Sequence, residues 1–382
     1  MDLRVGEYQT AGQLLSVALR EKGWTQRLLS AVLGVDQSTI SLILNDKKAL
    51  DAPLAIAFSE VFGIPAERLL SVQQEYELAR ARLTMAPDTG RARRAQLLGD
   101  LPISEMVSRG WIKVEDVRDT VALEAELVRF FGEELDLPHA AKKSDATGAP
   151  TWVQRAWHRR VQRIAGSLQA PRYSPAAVRQ AVEKLQDLRA SVEGVKKVRD
   201  VLTEAGVRFV VVESIGSAKI DGVCSWLNDM TPVIGMTLRH DRIDNFWFVL
   251  RHEIEHVLRG HGRRAPVVDL DLASETTKDG APVAEEERVA NDAAADFCVP
   301  KEQMDNFIAK KAPYYVERDV LGFAATLRLH PGLVVGQLQH RTRRFDRFRK
   351  HLAKVRMVIL PEVPADGWGN EFPVDTNTPR VA

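Results

Sequence analysis

Residues 252–256 read His-Glu-Ile-Glu-His inside an apolar run, with Phe246-Trp-Phe-Val-Leu-Arg before them and Val257-Leu after. If the run is helical, each residue turns about 100° round the axis, so His256 lies about 40° from His252 and one turn along. Two imidazoles so placed can share one metal ion, and zinc suits this ligand type and spacing. Glu253, next to the first histidine, is placed to take a proton from water activated at the metal rather than to ligate. A helix otherwise filled with Phe, Trp, Val and Leu does not keep two histidines and two glutamates on a buried face unless something satisfies them. The competing reading is a polar stripe on a half-exposed helix.

A zinc site open to substrate takes three protein ligands. The segment Glu285-Glu-Glu-Arg-Val-Ala-Asn-Asp-Ala-Ala-Ala-Asp-Phe reads as a helix whose Ala290, Ala293 and Ala294 allow close approach to a neighbour. Glu287 and Asn291 stand four apart, hence on one face. The glutamate can bind the metal while the amide orients a ligand from behind. A solvated helix N-terminus also favours acidic residues, so the assignment of Glu287 depends on its pairing with the two histidines. His261 is expected to point elsewhere on the helix or beyond it. His240 and His330 are candidates to stabilise developing charge, with a structural histidine beside a turn the stronger reading for each.

The string Trp247-Phe-Val-Leu-Arg-His-Glu-Ile-Glu-His, followed by Glu287-Arg-Val-Ala-Asn291 and Val299-Pro300, resembles the ImmA/IrrE family of bacterial metallopeptidases. The resemblance covers about residues 205–305. It implies a zincin-like fold with zinc as cofactor, Glu287 as third ligand, Asn291 as its supporting partner and Pro300 at the end of the second helix. The implied reaction is attack of activated water on a peptide carbonyl, with Glu253 as general base and then as proton donor to the leaving amine. The strand Pro232-Val-Ile-Gly-Met-Thr-Leu is expected to form the sheet edge along which a substrate chain lies. Glu255 departs from the family pattern, which usually has a small residue there; an extra carboxylate near the metal face bears on the water and on substrate preference.

A second constellation occupies residues 24–45, Trp-Thr-Gln-Arg-Leu-Leu-Ser-Ala-Val-Leu-Gly-Val-Asp-Gln-Ser-Thr-Ile-Ser-Leu-Ile-Leu-Asn. Gly34 permits a tight turn, Val35 and Ile40 bury the elbow, and Ile43 continues the core face. Gln37, Ser38, Ser41 and Leu42 are left outward at the start of the second helix, where base edges would be met. Gln26, Thr39, Asn45, Lys47 and Lys48 would hold phosphates. Residues 10–80, including Leu69-Leu-Ser-Val-Gln-Gln-Glu-Tyr-Glu-Leu-Ala, resemble the HigA-like branch of Xre-type regulators, with Asp46 where that branch has glycine. The module's charge is close to balance, so one copy is expected to bind weakly and a homodimer on two-fold operator DNA is the natural state. A small helical bundle for protein contact is the bland alternative.

The elements that must position these groups follow from periodicity. Helices are expected over about 12–23, 26–33, 37–44 (with the Asp36 carboxylate as cap), 52–61 and 66–83, then over 101–135 and 150–205 with a polar loop at 142–150. Strands are expected at Arg208–Glu213, Ala218–Trp226 and Pro232–His240, and helices at 246–258, 285–297, 315–329 and 341–355. The basic run from Arg341 reads as a solvated helix face rather than a second DNA contact. The fold class is thus mostly α with a small α+β domain. A five-helix DNA-binding domain (1–86) precedes a helical connector (87–205), a metallopeptidase-like domain with a small sheet (206–356) and an extended tail (357–382).

Lys+Arg of 53 against Asp+Glu of 52 leaves a net charge of +1, so DNA contact has to come from a local surface. Two cysteines, Cys224 and Cys298, make no disulfide framework and no metal spacing, and are expected to be small buried hydrophobes. The start Met1-Asp2 shows no leader pattern, and no apolar run reaches the roughly 20 residues of a membrane span, so a cytoplasmic, membrane-free chain is expected. Together the constellations suggest a transcriptional regulator coupled to proteolysis of a regulatory protein, itself or a partner, and the two family resemblances imply a toxin–antitoxin, prophage or stress setting. The alternative is a repressor or antitoxin whose peptidase-like domain serves sensing or interaction.

Overall fold

The early chain turns into helices where Thr10, Thr25 and Asp51 accept the backbone N–H groups of Gln13 (3.0 Å), Leu28 (3.2 Å) and Leu54 (2.9 Å), satisfying donors that a first turn leaves open. The computed structural model describes residues 10–85, 88, 90–132, 150–216, 218–263, 266–270 and 285–373. It divides the chain into two units, Met1–Thr89 and Gly90–Ala382. The first unit holds α1 (Ala11–Glu21), α2 (Gln26–Leu33), α3 (Gln37–Leu44), α4 (Ala52–Phe62) and α5 (Ala66–Thr84) around Leu15, Leu29, Ile40, Phe58 and Leu69, all fully buried. The five-helix expectation matches within a residue or two at each end. Asp36, however, makes no side-chain cap: its carboxylate is exposed, and only its carbonyl joins α3, accepting from Ile40 N at 3.1 Å.

The second unit is built on a mixed sheet of β1 (Arg208–Val212), β2 (Ile220–Trp226), β3 (Pro232–Met236), β4 (Val267–Leu270) and β5 (Ala365–Asp366), in the order β4-β2-β3-β1-β5. Its helices are α6 (Arg91–Asp100), α7 (Ile103–Ser108), α8 (Thr120–Phe131), α9 (Trp152–Ser167), α10 (Pro175–Leu188), α11 (Val198–Glu204), α12 (Ile243–Arg259), α13 (Glu285–Cys298), α14 (Lys301–Lys311), α15 (Glu317–Thr326), α16 (Pro331–Thr342) and α17 (Arg356–Ile359). Alternate strand residues feed two cores. Phe209, Val211, Cys224, Ile234 and Met236 face the layer that contains α12, and Val210, Val212, Val223 and Val233 face the layer that contains α9. Coverage of both faces explains why these strands read as continuous apolar runs. The chain is therefore mostly helical with a small mixed sheet, and among the described residues no single helix is long and apolar enough to cross a membrane.

Several expectations change. The stretch 87–205 is no spacer: α9 and α11 pack directly on β1, and their residues belong to the two sheet cores. β3 is no edge, since it pairs with β1 on one side and β2 on the other, so a substrate strand cannot add there. The helix expected over 341–355 stops at Thr342, followed by left-handed residues at Arg343 and Phe348, and α14 fills a stretch with no prior assignment. The tail is described as far as residue 373. β5 pairs in parallel with β1, and the buried Asp366 carboxylate accepts from Arg160 Nε (3.0 Å) and Trp111 Nε1 (2.8 Å). Pro87, residues 142–149 of the expected loop and the tail beyond 373 lie outside the described residues.

Burial pushes the pKa of the His158 imidazole of α9 down to about 4, with the neighbouring Arg159 charge adding to the effect, and among the described residues its Nε2 finds no hydrogen-bond partner. The folded state holds this ring neutral, so its contribution to stability is complete above the unfolded value of 6.5 and is lost as pH falls toward 4. Between pH 7.5 and 5.0 the wild type is expected to lose roughly 2 kcal/mol more stability than His158→Gln, measured by urea unfolding. Equal losses in the two proteins would remove this account.

Candidate metal centre and nucleic-acid interface

Helix α12 carries the first constellation through the middle of the second unit. Ile243, Phe246, Trp247, Val249, Leu250, Ile254 and Val257 fill the core, and His252, Glu253 and His256 are buried with them at 0% exposure. Tyr173 fixes the helix from outside by donating to the Val257 carbonyl at 3.2 Å. Helix α13 runs beside it, its Ala290 and Ala294 fully buried, and Gln337 of α16 holds α13 in place by donating to the Ala295 carbonyl at 2.5 Å.

This packing brings three side chains together. His252 Nε2 and His256 Nε2 are 3.0 Å apart, and the two oxygens of Glu287 lie 3.4 Å from the first and 3.6 Å from the second. Tetrahedral zinc with bonds near 2.1 Å separates its ligand atoms by about 3.4 Å, so the triangle has the size of one face of such a site. The His252 Nδ1 is 3.1 Å from Asn291 Oδ1, an acceptor, which puts the proton on Nδ1 and leaves Nε2 bare. A bare nitrogen facing a second imidazole and a carboxylate in a buried pocket calls for a proton or a cation among them, and the donor set fits a metal ion. The structure thus brings Glu287, His252, His256 and Asn291 together.

Glu253 lies beneath β2. A Cβ built on Gly222 would come within 2.1 Å of Glu253 Oε1, so only glycine leaves this carboxylate its place. The pairing of β2 with β4 shifts register between Ile220 and Gly222, the kind of irregularity that re-aims a strand beside a site. Glu255, the departure from the resembled pattern, belongs to a different stripe of α12. Burial acts to raise its pKa, but hydrogen bonds from Arg251 (2.8 Å) and Arg259 (2.7 Å) outweigh that and hold the carboxyl below its usual value.

The other histidines separate. His330 accepts from Gly332 N at 3.0 Å and caps α16, which is a structural duty. His240 Nε2 sits 3.9 Å from the buried Asp221 carboxylate. His261, expected to point away, is folded back: Gly260 is left-handed, and the His261 ring ends 2.9 Å from His256, Nδ1 to Nδ1. The sequence puts His261 beside the site but favours its pointing away, and it does not single out Gly222, for which a lone glycine in an apolar strand is the available signal. Cys298 is buried, its thiol pushed up to about 12 by desolvation, and Cys224 is buried too, as expected of both.

In the first unit α2 and α3 meet at 117°, within the range of helix-turn-helix pairs. Gly34 takes φ 65°, and the Ser30 hydroxyl donates to the Val35 carbonyl at 2.5 Å, locking the turn. Gln37, Ser38 and Leu42 are exposed on α3 and Thr39 and Ser41 half-exposed, opposite the buried Ile40 and Ile43. Gln26 is half-buried at the start of α2, and Lys47 and Lys48 are exposed after α3. Asn45 uses its amide to close α3, donating to the Ser41 carbonyl at 2.8 Å. Asp46 occupies the glycine-like position at φ 55° and makes use of its side chain there, accepting from Thr10 Oγ1 (2.7 Å) and Gly12 N (3.1 Å) and so tying α3 to the start of α1.

The contact between Gly222 and Glu253 is open to a double-mutant cycle. Gly222→Ala is expected to cost about 1–3 kcal/mol of stability and less than half of that in a Glu253→Ala background, read by urea unfolding. Equal costs in both backgrounds would show that the carboxylate does not occupy that space.

No curated protein matches the chain. Residues 17–69, which span α2 and α3 with the flanking helices, match the helix-turn-helix family. The first unit is therefore a helix-turn-helix module of the Xre type, and the chain is a DNA-binding regulator.

Proposed function

We propose that this regulator carries, in its second unit, a zinc-dependent endopeptidase of the ImmA/IrrE type that cleaves a regulatory protein, itself or a partner. The observation behind the reading is the triangle of His252, His256 and Glu287, with ligand atoms within 4.8 Å of one another and Glu253 next to it. A zinc ion held by this set supplies Lewis acidity and lowers the pKa of water. Asn291 keeps the His252 ring turned inward. Glu253 accepts the proton of the attacking water as the carbonyl carbon gains its oxygen, then delivers that proton to the amine as the C–N bond breaks. Burial of Glu253 keeps its carboxylate dry, which strengthens its interaction with the nearby charge. Glu255, held by two arginines, has a separate role and leaves the reaction unhindered.

The recognition surface of α3 reads operator DNA through Gln37, Ser38, Ser41 and Leu42, with Gln26, Thr39, Asn45 and Lys47 at the phosphates. A homodimer on a two-fold site supplies the affinity that one near-neutral module lacks. A toxin–antitoxin, prophage or stress circuit in the cytoplasm suits a regulator of this build, with the cleaved protein either the partner toxin or regulator or the chain itself.

Purified protein is expected to hold one zinc per chain by elemental analysis and His252→Ala none; a wild type without stoichiometric metal ends the enzyme reading. Glu253→Gln is expected to keep zinc and lose the regulated cleavage in cells. If zinc stays and every cellular phenotype is unchanged, the second unit serves interaction rather than proteolysis. Against operators selected from random duplexes, Gln37→Ala with Ser38→Ala is expected to weaken binding by about 1–3 kcal/mol per lost base contact; unchanged binding would remove the assignment of α3.

A further inference from the structure

We propose that His261 is a positioning residue of the metal centre, which fixes the His256 ring with its Nε2 bare and turned toward the ion. The inference rests on the metal-site reading above and adds a residue that the HExxH and Glu287/Asn291 pattern does not contain.

A neutral imidazole has one N–H and one bare nitrogen. For His256 to present a lone pair at Nε2, 3.0 Å from His252 Nε2, its proton has to sit on Nδ1. That nitrogen lies 2.9 Å from His261 Nδ1, which must then accept the hydrogen bond. His261 in turn carries its own proton on Nε2, and there the Glu286 carboxylate stands 3.8 Å away, favouring an N–H at that end. With a metal ion at His256 Nε2, this is the one assignment of protons that satisfies both rings. His261 is no ligand itself, because the nitrogen that approaches the centre is used by His256. The pair His256–His261 does for the second histidine what His252–Asn291 does for the first.

The ring is held for this task. After the left-handed Gly260, His261 N donates to the His256 carbonyl at 2.9 Å. The His261 carbonyl accepts from Trp226 Nε1 at 2.7 Å, with the Cys224 thiol at 3.6 Å. The next residue, Gly262, runs so close to β2 that a Cβ there would meet the Cys224 carbonyl oxygen at 2.5 Å. The turn is thereby anchored on β2, the strand whose Gly222 accommodates Glu253. The His261 side chain is 17% exposed, so it is largely withdrawn from solvent and has its rotamer fixed by the surroundings.

The test is zinc affinity of the full chain, measured by competition with a chromogenic chelator, together with the visible spectrum of the cobalt(II)-substituted protein. His261→Phe removes the acceptor but keeps a planar ring, and is expected to bind zinc about 10–100-fold more weakly and to shift the cobalt bands. His261→Asn places an amide oxygen where Nδ1 stood and is expected to restore most of the affinity and the wild-type bands. If the wild type binds no zinc, the metal reading fails and this one with it. If the wild type binds zinc and His261→Phe binds it equally with unchanged cobalt bands, the metal site stands and the role of His261 is overturned. Should the Phe variant lose its far-UV circular dichroism, His261→Ala takes its place under the same two outcomes, and weak binding by a folded Asn variant overturns the role.

Discussion

Two imidazole nitrogens 3.0 Å apart on a fully buried helix face, with a carboxylate closing the third side, impose the central constraint on the second unit. Two lone pairs brought so close repel one another unless a proton or a cation lies between them, and burial removes the water that would otherwise relieve the conflict. Much of the surrounding architecture can be understood as holding this arrangement. Small residues on α13 let Glu287 reach in, Gln337 steadies α13, and Asn291 and His261 occupy the far nitrogens of the two rings. Strand β2 then gives way at Gly222 so that a second carboxylate, Glu253, fits in the same dry layer. The arrangement is thus a property of the interface among α12, α13 and β2 rather than of a short motif.

Much of this was legible in the sequence because the helix period is rigid. Residues four apart must share a face, so His252 with His256 and Glu287 with Asn291 fall into place once the two helices are recognised. The short helices of the first unit were equally legible, since threonine and aspartate caps and left-handed glycines mark their ends. What escaped depends on tertiary approach. His261 lies beyond the end of α12, and its direction is set by the turn at Gly260 and by β2, which periodicity does not reach. The apolar character of β3 could not tell an edge from a centre, because both faces of the sheet are covered. The tail from Ala365 to Phe372, rich in turn residues, gave no sign that Asp366 would be buried against Arg160 and Trp111.

The first unit shows a local substitution finding a new use. A left-handed residue after α3 favours glycine or a short polar side chain. Asp46 accepts the conformation and spends its carboxylate on the opening turn of α1, where Thr10 and Gly12 offer donors. The exposed face of α3 is consequently carried by a frame closed at both ends, by the Ser30 turn and by the Asp46 tie. Asp36, by contrast, leaves its carboxylate in solvent ahead of Gln37, so the first N–H groups of α3 remain uncapped by a side chain.

The parallel pairing of Val211 with Ala365 and Val212 with Asp366 joins residues far apart along the chain. On the ribosome, β1 emerges long before its outer neighbour exists, whereas the core of the first unit is built from residues between Leu14 and Leu69. The helix-turn-helix is therefore ready while the sheet still waits for its last strand. A growing chain passes through a period in which its DNA-binding module can already fold while the second unit is unfinished, so the order of synthesis itself separates the two units in time.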